Sequence, residues 1–175
     1  MLLRGVFAIP HYVWLAGWTV CVVAIAPLHW LVVLVVGRPW RPLFRLTTAY
    51  LRYTTHFGAY YALVANPFPG FLGWRGYPVE LVHPAIEPQS RWKTLVRGAL
   101  AIPAWVFSQV LDRTVDVVAF LGWFACLALG RMPNGMRDLN AYVLRYRQQT
   151  LGYLLLVTDA YPQLASGERY LPEQD

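Results

Sequence analysis

One stretch of the chain occurs twice, and this repeat limits the folds that the sequence can adopt. Residues 2–69 align with residues 95–162 at a constant offset of 93, without a gap, and 22 of the 68 aligned positions are identical. LLRGVFAIP returns as LVRGALAIP, and a Gly-Arg pair and a Leu-Arg-Tyr triplet return in the same register. Such a repeat predicts two copies of one structural unit. We therefore divide the chain into a first repeat (1–69), a surface connector (70–94), a second repeat (95–162) and a C-terminal tail (163–175).

The composition indicates a protein that is surrounded by lipid. Hydrophobic residues make up 57% of the chain and charged residues 14%, whereas a soluble domain has about 45–50% and 25%. The net charge is +6, and the arginines border apolar runs. This basic excess fits anionic lipid headgroups better than nucleic acid. We expect membrane lipids as partners, and we expect no binding of nucleic acid.

Each repeat has the pattern of a transmembrane helical hairpin. Tyr12–Val36 is a run of 25 residues without a formal charge, and a bilayer core needs about 20 apolar residues. Gly37–Pro42 predicts a turn, and Leu43–Ala65 predicts a returning helix. The second repeat has the same pattern in Pro103–Leu129 and Met136–Thr158. The predicted fold is an all-α integral membrane protein of two tandem transmembrane hairpins, with four spans in total.

Shorter elements are predicted around these spans. Met1–Ala8 and Arg91–Ala101 have the pattern of interfacial amphipathic helices that precede spans one and three. Phe68–Leu72 and Tyr77–Val82 can pair as a short β-hairpin in the connector. Two helices per repeat bring the chain back to its starting side. We therefore expect both repeats to enter the membrane in the same direction, with a pseudo-two-fold axis along the membrane normal.

The repeated motifs resemble a known family. The segments LLRGVFAIPHYVWL, LRYTTHFGAYYALV and NPFPGF, together with the Gly-Arg turn, are similar to an uncharacterised family of small bacterial membrane proteins, domain of unknown function 4389. The resemblance covers nearly the whole chain in two tandem copies, except for about the last dozen residues. It implies a helical protein without an assigned catalytic activity. It also implies a multi-pass location in the bacterial cytoplasmic (inner) membrane.

The third predicted span carries an intramembrane polar stripe that consists of Gln109, Asp112, Arg113 and Asp116. Spacings of 3, 4 and 7 residues place these side chains on one helix face. A charge at the centre of a bilayer costs at least about 2.5–3.5 kcal/mol, so the stripe must face protein, water or other charges. Counting the helical rise places Asp116 at the depth of Arg147 or Arg145, which predicts an ion pair. Three roles remain open: a structural ion pair, a docking face for a partner helix, and a proton or ion path.

A repeated Arg-Tyr pair is the second candidate site. Arg52-Tyr53 returns as Arg145-Tyr146. These arginines either bind a lipid phosphate at the pseudo-two-fold axis or extend to the headgroups without specificity. The sequence contains no Cys/His spacing of a zinc site, no Gly-rich phosphate loop and no nucleophile–base signature. We therefore expect no catalytic residue, no metal and no cofactor.

The pattern favours a non-catalytic accessory or scaffold subunit of a larger membrane complex, a hetero-oligomer that docks through its transmembrane and interfacial helices. The asymmetric polar stripe is typical of a partner-facing surface. The alternative is a small transporter or lipid-binding membrane protein that uses the groove between the two repeats. Purification in mild detergent distinguishes them, because only the subunit hypothesis predicts a stoichiometric protein partner.

Overall fold

A computed structural model describes residues 4–71, 73, 76–79 and 86–164. It contains four helices in the order α1 (Arg4–Val36), α2 (Arg41–Tyr61), α3 (Arg91–Leu129) and α4 (Asn134–Leu154). No strand occurs in the described residues, so the all-helical expectation is confirmed. The expected β-hairpin is not found in its described parts, residues 68–71 and 77–79. Leu72 and residues 80–82 lie outside the described residues.

The long helices α1 and α3 run through prolines that were expected to separate two elements. Pro10 and Pro103 both lie inside their helices, so the prediction of separate interfacial helices is wrong for the described residues. A proline inside a helix removes one backbone hydrogen bond and crowds the preceding turn. Ala8 and Ala101 lie in that preceding turn and are buried. Each long helix therefore continues through its proline, and the alanine in the preceding turn packs inside the protein.

The helix ends repeat at the same offset as the sequence. Gly37 and Gly130 end the long helices in left-handed conformations, with φ of 76° and 72°. Two residues after the end of each shorter helix lies a leucine, Leu63 or Leu156, with a φ of 60°. A left-handed leucine costs roughly 1–2 kcal/mol. In each repeat the backbone N–H of the residue after this leucine donates a hydrogen bond of 2.9 Å, which closes a Schellman motif. The two repeats therefore share backbone geometry in their turns as well as sequence.

The four helices form a bundle in which the main contacts are α1–α2, α2–α4, α4–α3 and α3–α1. The short helices run antiparallel where they meet. Thr54 and Gln148 exchange hydrogen bonds of 3.2 and 3.3 Å. Gly58 lies one turn later along α2 and packs against Leu144, which lies one turn earlier along α4. A Cβ added to Gly58 would be 2.6 Å from Leu144 Cδ1, so the two helices run in opposite directions.

The long helices are antiparallel as well. The Trp30 indole near the end of α1 donates a hydrogen bond of 2.7 Å to the Thr94 carbonyl near the start of α3. Tyr12 near the start of α1 lines the same cavity as Asp116 in the second half of α3. The pseudo-two-fold axis is therefore perpendicular to the helices, and the prediction that both repeats run in the same direction is wrong.

The connector explains this inverted arrangement. Phe71 stacks on His11 near the start of α1, with ring centroids 4.5 Å apart. The backbone N–H of Gln89, just before α3, donates a hydrogen bond of 2.9 Å to the Gly37 carbonyl at the opposite end of α1. The prediction assumed that the connector stays on one side of the bundle. Instead it reaches the other end, so that the α1–α2 turn (the Gly37 end) and the α3–α4 turn (the Gly130 end) lie at opposite ends of the bundle.

The apolar surface lies on the long helices and the protein core on the short ones. The largest cluster of buried apolar side chains consists of Ala59, Ala62, Val64, Ala65 and Leu144. Gly5–Val36 is long and apolar enough to cross a bilayer. Its most apolar 18-residue stretch has a mean hydropathy of 2.5, and only 17% of this stretch is buried. The other described helices do not meet this criterion. By this measure the structure supports one candidate membrane span near the N-terminus.

Candidate functional site

All four helices meet around an open groove between the two repeats, with a cavity of about 250 Å³. The groove is lined by Tyr12 of α1, Tyr61 of α2, Asn140 and Arg147 of α4, and all four stripe residues of α3, Gln109, Asp112, Arg113 and Asp116. Their spacing places the stripe residues on one face of α3, and the antiparallel packing turns this face towards the other repeat. The stripe therefore faces the junction of the repeats.

The stripe forms two loose ion pairs. Arg147 Nε lies 3.8 Å from Asp112 Oδ2, and Arg113 lies 3.6 Å from Asp116 one turn along the same helix. Both distances exceed those of a good charge-assisted hydrogen bond. The Arg113 side chain is 83% exposed, and exposed pairs contribute only about 0–1 kcal/mol. The Arg113–Asp116 pair therefore leaves its charges available to another molecule.

Of the two predicted partners of Asp116, Arg147 is wrong by one helical turn, because Arg147 lies beside Asp112. Counting residues from the turn assumes that the end of α3 and the start of α4 lie at the same depth. The Phe107 and Tyr146 rings contact at 5.3 Å, which shows that α4 residues meet α3 further from the turn than that counting predicts. Asp116 instead accepts a hydrogen bond of 3.4 Å from the Tyr61 hydroxyl.

The repeated arginines are the second candidate site that the sequence predicts. Arg52 and Arg145 do not line the groove, in contrast to Arg147. The aliphatic part of Arg52 lies against Gly73, where an added Cβ would come within 3.3 Å of Arg52 Cγ. Their neighbouring tyrosines are buried, and the Tyr53 hydroxyl lies 2.7 Å from His11 Nδ1. The phosphate-binding role of these arginines stays a prediction.

Sequence reasoning missed a buried arginine that joins the first and last motifs of the second repeat. Arg97 is only 2% exposed and forms an ion pair with Asp159. Its guanidinium also donates to the Tyr153 carbonyl over 2.9 Å and lies 4.6 Å from the centre of the Tyr153 ring. Burial lowers the pKa of Arg97, while the Asp159 carboxylate acts in the opposite direction. The sequence contains one signal for this contact. Each repeat begins with an Arg in the motif R-x-x-x-A-I-P and ends with an Asn or Asp just before an aromatic–Pro motif.

Three of the four histidines lie in the packed interior of the bundle. His11, His29 and His56 are buried, and His11 stacks on Phe71. No group of three His, Cys, Asp or Glu residues that could hold a metal occurs in the part of the chain that the structure describes. His83 lies outside that part.

A model of the family described as Domain of unknown function (DUF4389) matches residues 1–72 and 91–165. The chain belongs to this family. The two matches contain the two repeats, so each DUF4389 unit of this chain consists of a long helix, a turn at Gly-Arg and a shorter helix that is followed by a left-handed leucine. No curated protein and no solved structure matches the chain.

Proposed function

We propose that this DUF4389 protein is a multi-pass protein of the bacterial cytoplasmic membrane that acts as a non-catalytic accessory subunit of a larger membrane complex. In this proposal α1 and α3 contact lipid, while α2, α4 and the connector lie behind them, shielded from lipid tails. The observation that carries the proposal is the exposed apolar surface of both long helices. Examples are Val13, Val20 and Val35 of α1 and Val110, Val117 and Phe120 of α3, each at least 59% exposed.

The connector supports this division of the bundle into lipid-facing and shielded helices. Gly73 approaches the backbone of α2, where an added Cβ would lie 3.3 Å from the Tyr53 amide nitrogen. Tyr77 stacks on His56 at 4.4 Å. Non-helical backbone at membrane depth is tolerated only where protein or water covers its polar groups. A connector that packs on α2 meets that requirement only if the lipid lies on the α1 and α3 side.

The stripe supports the subunit role. Arg113 and Asp116 are 83% and 48% exposed, although they lie in the middle of a helix with an apolar outer face. Bare charges in the hydrocarbon cost about 2.5–3.5 kcal/mol each. A polar or charged helix of a partner subunit over the groove would remove that cost. The alternative, a lipid-binding protein or small transporter, has specific support because Tyr12 and Tyr61 of the first repeat line the same groove.

Membrane topology tests the first half of the proposal. Single cysteines replace Arg38, Arg91 and Arg131 in a variant without Cys21 and Cys126, and intact cells are labelled with an impermeant maleimide. If α1 and α3 cross the membrane in opposite directions, the cysteines at positions 38 and 91 are labelled from one side of the membrane. The cysteine at position 131 is then labelled from the other side. Labelling of all three from one side contradicts the proposed crossing, and release of the protein by alkaline carbonate contradicts membrane insertion.

Purification in mild detergent tests the subunit role. We expect the full chain to elute with a protein partner at fixed stoichiometry, and we expect Arg113→Gln with Asp116→Asn to release that partner. Asp138→Asn is the matched control, because Asp138 is exposed on α4 and does not line the groove. A lone monomer or homodimer with bound lipid would exclude the subunit hypothesis and favour the alternative.

A further inference from the structure

A second and larger cavity lies at the Gly130 end of the bundle. Its volume is about 430 Å³, within the range of about 300–1,000 Å³ that is typical of small-molecule sites. The α3–α4 turn forms one wall, and the residues that follow α2 form the other. Its walls include Val64, Asn66, Val79, Met132, Arg131 and Arg137. None of the stripe residues lines it, so it is separate from the groove between the repeats.

The cavity is basic on one side and apolar on the other. Arg131 and Arg137 are its charged lining residues, and no carboxylate lines it within the described ranges. Neither arginine forms an ion pair with another described residue. The Nε atom of Arg137 is buried and has no hydrogen-bond partner. A guanidinium presents five N–H donors in a fork that matches the oxygens of a phosphate.

In the first repeat, the position equivalent to this cavity is filled by a side chain. The residue that corresponds to Arg137 at the offset of 93 is Phe44. Phe44 is buried and packs against Leu51 and Val157. The residue that corresponds to Val157 is Val64, which lines the cavity together with Arg137. One copy of the unit therefore closes this position with an aromatic ring, while the other keeps an open volume and turns a guanidinium towards it.

We propose that this end cavity binds a phosphate-bearing anionic ligand, with phosphate oxygens on Arg131 and Arg137 and an apolar part against Val64, Val79 and Met132. The first turn of α4 begins in the same cavity at Asn134, and the positive end of its helix dipole adds to the two guanidinium groups. The phosphate comes from an anionic lipid headgroup or from a free phosphate. The site does not depend on the proposed partner subunit.

Calorimetric titration of the full chain in mild detergent tests this site. The probes are short-chain phosphatidic acid, short-chain phosphatidylcholine and inorganic phosphate. We expect saturable binding of phosphatidic acid with one site per chain, and no comparable binding of phosphatidylcholine. If inorganic phosphate binds at the same site, free phosphate is a sufficient ligand. If phosphatidic acid binds and inorganic phosphate does not, the lipid is the source of the phosphate. Both results support the proposal.

Three variants separate the site from general basicity and from misfolding. We expect Arg131→Gln to weaken binding at least 10-fold. We expect Arg137→Phe, which copies the first repeat, to fold and to abolish binding. Arg38→Gln is the matched control, because Arg38 corresponds to Arg131 but lies at the Gly37 end, and we expect it to bind like the unaltered chain. Absence of saturable binding by either phosphate source, equal binding of phosphatidylcholine, or unchanged binding by both cavity variants would overturn the proposal.

Discussion

The Arg97–Asp159 pair allows a stability prediction that can be worked out from the structure. Arg97 is 2% exposed and Asp159 is 26% exposed. Removal of one partner of a buried pair costs about 3–5 kcal/mol, because it leaves an uncompensated charge. Two contributions reduce this value here. Asp159 is partly hydrated, and Arg97 keeps the carbonyls of Tyr153 and Thr158 at 2.9 and 3.3 Å. We expect Asp159→Ala to lower the free energy of unfolding by about 2–3 kcal/mol.

Thermal unfolding in mild detergent, followed by circular dichroism at the helical band, measures this effect. For a chain of this size about 1 kcal/mol corresponds to roughly 2–4 °C, so Asp159→Ala should lower the Tm by about 4–12 °C. Asp159→Asn should cost clearly less, because an amide keeps an acceptor oxygen and the first repeat has Asn66 at this position. Lys93→Ala is the control. Lys93 is 60% exposed and 3.6 Å from Asp159, so its loss should cost less than about 1 kcal/mol.

The reasoning fails if Asp159→Ala melts within about 1 °C of the unaltered protein, since a shift that small leaves no room for a buried unpaired charge. It also fails if Lys93→Ala is as destabilising as Asp159→Ala, because the effect would then follow surface charge and not burial.

Two further substitutions test packing and the lipid-facing surface. Gly152→Ala should raise the free energy of unfolding by about 0.5–1 kcal/mol. The added Cβ meets only ordinary contacts, such as Leu51 Cδ1 at 3.8 Å, and the first repeat already has Ala59 at the equivalent position. A lower Tm would contradict this prediction. Val117 is 59% exposed on the outer face of α3, so Val117→Asp should make membrane insertion less favourable by about 2.5–3.5 kcal/mol. Gln109→Asp places the same charge in the groove and should have a smaller effect. Equal insertion of both variants in a glycosylation reporter would refute the assignment of faces.

The sequence predicts the two helical hairpins and their turns, because the signals for them are local, although it wrongly separates the segments before Pro10 and Pro103 from the long helices. The offset of 93 identifies two equivalent units, and Gly37 and Gly130 end the long helices as glycine residues with positive φ commonly do. The spacing of Gln109, Asp112 and Asp116 places them on one face, and the structure directs that face into a groove. Local periodicity is sufficient for these features, since the helical repeat alone determines which side chains share a face.

Features that depend on long-range packing could not be predicted. Periodicity does not give the relative register of two helices, so the sequence predicts Arg147 or Arg145 beside Asp116, whereas Arg147 lies beside Asp112. The direction of the second repeat depends on the path of the connector, and its composition alone does not fix where Gln89 meets Gly37. Arg97 looked like a surface residue of an amphipathic helix, because only the return of the chain at Asp159 buries it.

One distance tests the central claim that the two repeats pack in opposite directions. Arg41 and Asn134 are equivalent positions at the starts of α2 and α4, and both are exposed. In the inverted bundle they lie at opposite ends of helices that are about 31 Å long. Spin labels at these positions, measured by double electron–electron resonance on the detergent-solubilised chain, should give a distance of about 30 Å or more. A bundle with parallel repeats would place both labels at one end of neighbouring helices, whose axes lie about 8–10 Å apart, and a distance below about 20 Å would contradict the account.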